Sequence, residues 1–211
     1  MCRILAACCY ALLRTACWFV LRLGFGLEVR GRHHLPRRGG FVLASHHVSF
    51  LDPVALIVAC PRRLVFLARA ELFRMPWLGS FMRFMQTLPI DRRETETGLR
   101  EAVRLLRRGR PVAIFPEGGR QLSGTIGTAK PGMGLLAAYA EVPVVPVLVK
   151  GTFEALPPGA TWPRLAKIRV AFGPQIRYPQ RRLSSAVYQR IAQHVTASWQ
   201  DLHDTHGRDT G

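Results

Sequence analysis

The stretch His47-Val48-Ser49-Phe50-Leu51-Asp52 sets a histidine and a carboxylate five positions apart. It follows Phe41-Val42-Leu43-Ala44, a short apolar run that reads as a buried strand. Open α/β sheets place their ligands at such carboxyl ends. A histidine titrating near neutrality can take a proton from a hydroxyl. A neighbouring carboxylate would fix its tautomer and stabilise the imidazolium that forms. No G-x-S-x-G elbow occurs in the chain, so such a pair would activate the substrate's own hydroxyl without an acyl-enzyme. The same residues have plainer readings. Asp52-Pro53 is a good helix start, with Asp as N-cap and Pro in the first turn. Ser49-x-x-Asp52 could also be a capping box. His33, His34, His46 and His47 are metal-ligating types, but no second cluster has ligand spacing, so no metal is expected.

Phe115-Pro116-Glu117-Gly118-Gly119-Arg120 is a second candidate, again just after an apolar run. Gly118 and Gly119 let backbone N–H groups approach a ligand closely, and Arg120 can grip a phosphate through two bonds. A plain Pro-x-Gly turn reads the same way. Ile90-Asp91-Arg92-Arg93 delivers two more arginines from an extended segment, and alone it is a charged loop.

These strings need a scaffold, and the pattern around them supplies one. Apolar runs at 41–44, 64–67, 112–115, 144–149 and 168–172 read as strands, with 87–90 extended. Helical stretches fall at 53–59, 77–85, 94–108, 134–141 and 184–202. The alternation predicts a single α/β domain whose largely parallel sheet is covered by helices on both faces. The expected boundaries are a membrane-attachment segment at 1–30, the catalytic domain at 31–203 and a frayed tail at 204–211. The glycine motifs of dinucleotide and P-loop folds are missing.

The charge is lopsided. Thirty basic side chains face 13 acidic ones among 211 residues, for a net charge of +17. With 48% hydrophobic residues, disorder is excluded, and phosphate-bearing partners are favoured. From Ile4 to Leu27 the chain is apolar apart from Tyr10, Arg14, Thr15, Arg22 and two glycines. Arginines inside a spanning helix are costly, so this stretch suits a helix lying in the interface of an anionic membrane, with a tilted span and an ordinary buried N-terminal helix of the domain as the alternatives. Removing residues 1–27 should then release the protein and leave the α/β core intact. Five cysteines without a CxxC pair are expected to be buried free thiols.

Taken in order, the strings resemble the glycerolipid acyltransferase family, and within it the bacterial 1-acylglycerol-3-phosphate acyltransferases. Gly31-Arg32-His33-His34-Leu35-Pro36 matches the lead-in and His47-x4-Asp52 the catalytic signature. Gly79-Ser80-Phe81 through Asp91-Arg92, Phe115-Pro116-Glu117-Gly118-x-Arg120 and Val142-Pro143-Val144-Val145-Pro146-Val147 follow, then the tail Gly151–Pro157. The resemblance implies transfer of a fatty acyl group from acyl-CoA or acyl carrier protein to the free hydroxyl of 1-acylglycerol-3-phosphate, giving phosphatidic acid. His47 would be the general base with Asp52 behind it. Arg92, Glu117, Gly118, Gly119, Arg120 and Lys130 would hold the acceptor's phosphate. No cofactor beyond the thioester co-substrate is implied. Expected partners are anionic membrane lipids, the lysophospholipid and the acyl donor, but not nucleic acid. The expected location is the cytoplasmic face of a cell membrane, a bacterial inner membrane, in peripheral or monotopic fashion.

The chain departs from the family pattern at His46, where asparagine is usual, and at Gly119 and Gln121. The loop from Gln121 to Ala129 is short. Another lysolipid acceptor, such as lyso-ornithine lipid, is therefore the alternative within the same chemistry. An alternative of another class is a non-catalytic basic protein that binds membranes or nucleic acid.

Overall fold

A computed structural model describes residues 2–85, 87–90, 95–178 and 184–207. Helix α1 (Cys2–Phe19) runs on through a π-helical turn at Val20–Gly24 into strand β1 (Glu28–Arg30). Next come β2 (Val42–Ser45), α2 (Asp52–Ala59), β3 (Val65–Arg69), α3 (Pro76–Phe84) and β4 (Leu88–Ile90). Then follow α4 (Thr95–Arg107), β5 (Val112–Ile114), α5 (Gly132–Ala140) and β6 (Val144–Lys150). The short α6 (Thr152–Ala155), β7 (Arg169–Phe172) and the long α7 (Ser185–Gly207) complete the order. Helix α7 continues past the boundary expected at 203.

Among the described residues, seven strands form one sheet in the order β1-β7-β6-β2-β5-β3-β4. Every pairing is parallel except β6 with β7. The largely parallel sheet read from the sequence is therefore correct. The antiparallel β6–β7 pairing was not legible, because β-branched runs carry no direction. β2 sits at the centre, with Val42 beside Val112 on one side and Val144 on the other.

Both sheet faces are covered, as continuous apolar strands require. One face packs Leu43, Val145 and Val147 against α2 through Leu56, against α1 through Tyr10, and against the turn that follows α1 through Leu21 and Phe25. The other packs Val42, Val144 and Leu148 against α4, α5 and α7 through Leu106, Leu136 and Trp199. Trp199 is fully buried and donates its indole N–H to the Ala44 carbonyl at 3.1 Å. Parallel order has one decisive consequence. Strands β2, β5, β3 and β6 all release their following residues at the same end of the sheet.

The N-terminal segment is not a detachable unit. Tyr10, Leu21, Phe25 and Leu27 are core residues, and β1 hydrogen-bonds to β7. Arg14, which interrupts the apolar run, donates to the carbonyls of Ile57, Val58 and Cys60 at 3.0, 3.4 and 3.0 Å. Those groups lie at the C-terminal end of α2, where helix carbonyls lack internal partners and the dipole favours a cation. Arg22 donates to the Leu27 carbonyl at 3.3 Å. Arg14 thus serves the protein-facing side, whereas Arg22 is exposed, as are Leu5, Leu12, Val20 and Leu23. Deleting residues 1–27 would open the core rather than cleanly release it. Cys8 and Cys9 are exposed on this helix too, contrary to the expectation of buried thiols; Cys60 is buried.

Candidate active site

Where β2 ends, two adjacent histidines part company. His46 joins the α7 side, edge-on to Trp199, and is 3% exposed. Burial lowers its pKa to about 4, so the ring is neutral near pH 7. His47 turns the other way and stacks on Phe115, with ring centroids 4.0 Å apart.

Asp52 lies in front of His47 Nδ1, with Oδ2 at 2.8 Å. The same oxygen accepts the backbone N–H groups of Val48 and Ser49, each at 2.8 Å. Oδ1 accepts the Thr152 hydroxyl at 2.6 Å. A fully buried carboxylate with four donors satisfies the requirement that buried charge be hydrogen-bonded. This network places the proton of His47 on Nδ1 and leaves a lone pair on Nε2. The His47 side chain remains 16% exposed. An imidazole held this way can accept a proton from a hydroxyl that reaches Nε2.

Helix capping explains only part of Asp52. Leu51 occupies the N-cap, with no side-chain cap bond, and Asp52 opens the helix. Its carboxylate reaches back to the Ser49 N–H, which is half of a capping box. The Ser49 hydroxyl does not return the bond to Asp52. It donates instead to the Leu156 carbonyl at 2.7 Å and accepts the Leu51 N–H at 3.2 Å.

β5 delivers the second string beside the first. Glu117 is buried, and both its oxygens are engaged: Oε2 accepts the His47 N–H and Oε1 the Gly127 N–H, each at 2.9 Å. Burial raises its pKa, and these backbone bonds act against the rise. The His47 carbonyl in turn accepts the Gln121 N–H at 2.7 Å. Glu117 therefore ties the glycine turn to the histidine.

The turn itself collects cations. Gly118 has φ +81°, and a Cβ there would stand 2.9 Å from Lys130 Nζ. Its carbonyl accepts Arg69 Nη2 from the end of β3. Gly118, Gly119 and Lys130 are exposed, so the turn is open to a ligand. The Arg120 guanidinium lies 3.7 Å over the exposed ring of Phe50, inside the His47–Asp52 loop. Arg92 lies outside the described residues. Arg69 was not singled out by sequence, and Phe115 stood in the second candidate string without a role of its own. Thr152 stood in the Gly151–Pro157 tail without a role, and Arg69 had only its strand-end position as a signal.

Residues 26–150 match the family model described as Acyltransferase. The 1-acyl-sn-glycerol-3-phosphate acyltransferase of Bacillus subtilis (strain 168) is 31% identical over 144 residues, 67% of this chain and 71% of that protein. The human 1-acyl-sn-glycerol-3-phosphate acyltransferase alpha is 34% identical over 130 residues, 60% of this chain but 46% of its own length. The chain thus spans less than half of that relative. The fold is that of the 1-acyl-sn-glycerophosphate (LPA) acyltransferase PlsC from Thermotoga maritima, with a TM-score of 0.72 over 92% of this chain and 80% of that one at 22% identity. With more than half its length under one family model, the chain belongs to the acyltransferase family.

Proposed function

We propose that the protein transfers a fatty acyl group from acyl-CoA or acyl carrier protein to the free hydroxyl of 1-acylglycerol-3-phosphate, yielding phosphatidic acid. The observation that carries this reading is the 2.8 Å contact between His47 and Asp52 beside the open, cationic Gly118 turn. His47 Nε2 takes the hydroxyl proton as the oxygen attacks the thioester carbonyl. The carbon–oxygen bond forms, the carbon–sulfur bond breaks, and the thiolate leaves with the proton that His47 held. Asp52 keeps Nδ1 oriented and stabilises the transient imidazolium. Gly118, Gly119, Lys130 and Arg120, with Arg92, hold the phosphate through backbone N–H groups and cations. Glu117 contributes by fixing the turn.

The exposed apolar side of α1 seats the protein on the cytoplasmic face of an anionic membrane, where the acceptor resides. The acyl donor arrives from solution. The departures at His46, Gly119 and Gln121 favour a second acceptor, a lysolipid with an amino-acid headgroup, as the competing reading. A transfer assay with labelled acyl thioesters against a panel of lysolipids decides between them. Preference for 1-acylglycerol-3-phosphate is expected. Preference for lyso-ornithine lipid moves the reading to that acceptor, and no transfer to any lysolipid contradicts both.

A further inference from the structure

Trp162 and Leu165 are 81% and 83% exposed, though neither belongs to α1. They stand on the segment that joins α6 to β7. One stem of this segment begins at the active site, where the Leu156 carbonyl accepts the Ser49 hydroxyl at 2.7 Å. The other ends where the N-terminal helix ends, with the Ile168 N–H on the Phe25 carbonyl at 2.9 Å. Between them the Arg164 N–H holds the Ala155 carbonyl at 2.7 Å. The loop is therefore pinned at both ends and in its middle, and still presents its largest apolar groups to water.

Its chemistry points to one occupant. Residues 157–169 contain Arg164, Lys167 and Arg169 and no acid. Lys167 and Arg169 both pair with Glu28, and Arg164 is exposed. Tryptophan favours the boundary between headgroups and acyl chains, and basic side chains beside it favour anionic lipid. The loop's second stem is bonded to Phe25, and Val20 and Leu23, 59% and 79% exposed, come just before that residue.

We propose that the 157–167 loop is a second lipid contact, with Trp162 and Leu165 seated in the interface of an anionic bilayer. Together with α1 it sets the height of the Ser49–Asp52 loop above the membrane. The proposal rests on the reading of α1 as an attachment surface.

Vesicles of phosphatidylcholine with phosphatidylglycerol test it with the full-length protein. The pair Trp162→Ser and Leu165→Ser should lower vesicle affinity by about tenfold or more. Thermal unfolding and turnover of a short-chain, monomeric lysolipid should stay as in the parent. Unchanged vesicle affinity overturns the proposal, and loss of self-association with unchanged affinity assigns the patch to a protein contact instead. A parallel variant, Leu12→Ser with Leu23→Ser, separates the two readings. If it alone strips binding, the loop proposal fails and α1 attachment stands. If only the loop pair strips binding, α1 attachment fails.

Discussion

Thr152 donates its hydroxyl to Asp52 Oδ1 at 2.6 Å across 100 positions of chain, and both side chains are fully buried. Gly151, with φ +85° and its backbone against the Lys167 carbonyl, makes the turn that brings Thr152 there. Thr152→Val keeps the shape and leaves an acceptor short of a partner. It should cost about 1–3 kcal/mol of stability and lower kcat more than it raises either KM. Thr152→Ser, which retains the hydroxyl, should restore both. Denaturant unfolding and steady-state kinetics on the three proteins check this, and equal loss in Val and Ser variants would reduce Thr152 to packing.

Arg14 should matter to folding rather than to lipid. Its guanidinium serves three carbonyls at the end of α2, so Arg14→Ala strands buried acceptors at a cost of about 1–3 kcal/mol. Vesicle affinity should not change. A variant of unaltered stability that binds vesicles poorly would put Arg14 at the membrane.

Acid should weaken the fold through His46. Its pKa is about 4 in the folded chain and near 6.5 when unfolded, with burial the main cause. Protons therefore bind the unfolded state first as pH falls below 6.5. The neutral ring's contribution is complete above that value and is lost progressively down to about pH 4. The loss amounts to about 3 kcal/mol. His46→Asn should flatten this part of the stability curve, which thermal unfolding across the window will show. An unchanged acid limb would mean that His46 is not the group responsible.

Arg120 should act on the acceptor. Its flat guanidinium rests on Phe50, at the edge of the His47 loop, and can pair with two phosphate oxygens. Arg120→Ala should raise the KM for the phosphorylated acceptor more than for the acyl donor. Arg120→Lys should rescue it poorly, since ammonium lacks the planar fork. Equal effects on both substrates would remove Arg120 from the headgroup site.

The sequence exposed what is local. β-branched runs marked the central strands, and His47 and Asp52 share one short loop, so their pairing was visible from spacing. Glu117 was visible as a residue but not as a tie to the His47 backbone, because that bond joins neighbouring parallel strands. Thr152 reaches Asp52 only because β6 lies beside β2, which no local pattern encodes. Arg69 escaped because β3 outlasts its apolar run: Ala68 and Arg69 are strand only by pairing with Pro89 and Ile90 of β4. Arg14 and Arg22 were read as interruptions of a membrane helix. Which way a helix faces depends on what it packs against.

The central claim is that His47 is the base that deprotonates the acceptor hydroxyl. The direct measurement is acyl transfer from a labelled thioester to 1-acylglycerol-3-phosphate by purified His47→Ala, with folding checked by thermal unfolding. Loss of a positioned acid–base group should lower kcat by about a hundred- to ten-thousand-fold, with melting close to that of the parent. Near-normal turnover by the folded variant would contradict the account, whatever the geometry of the pair.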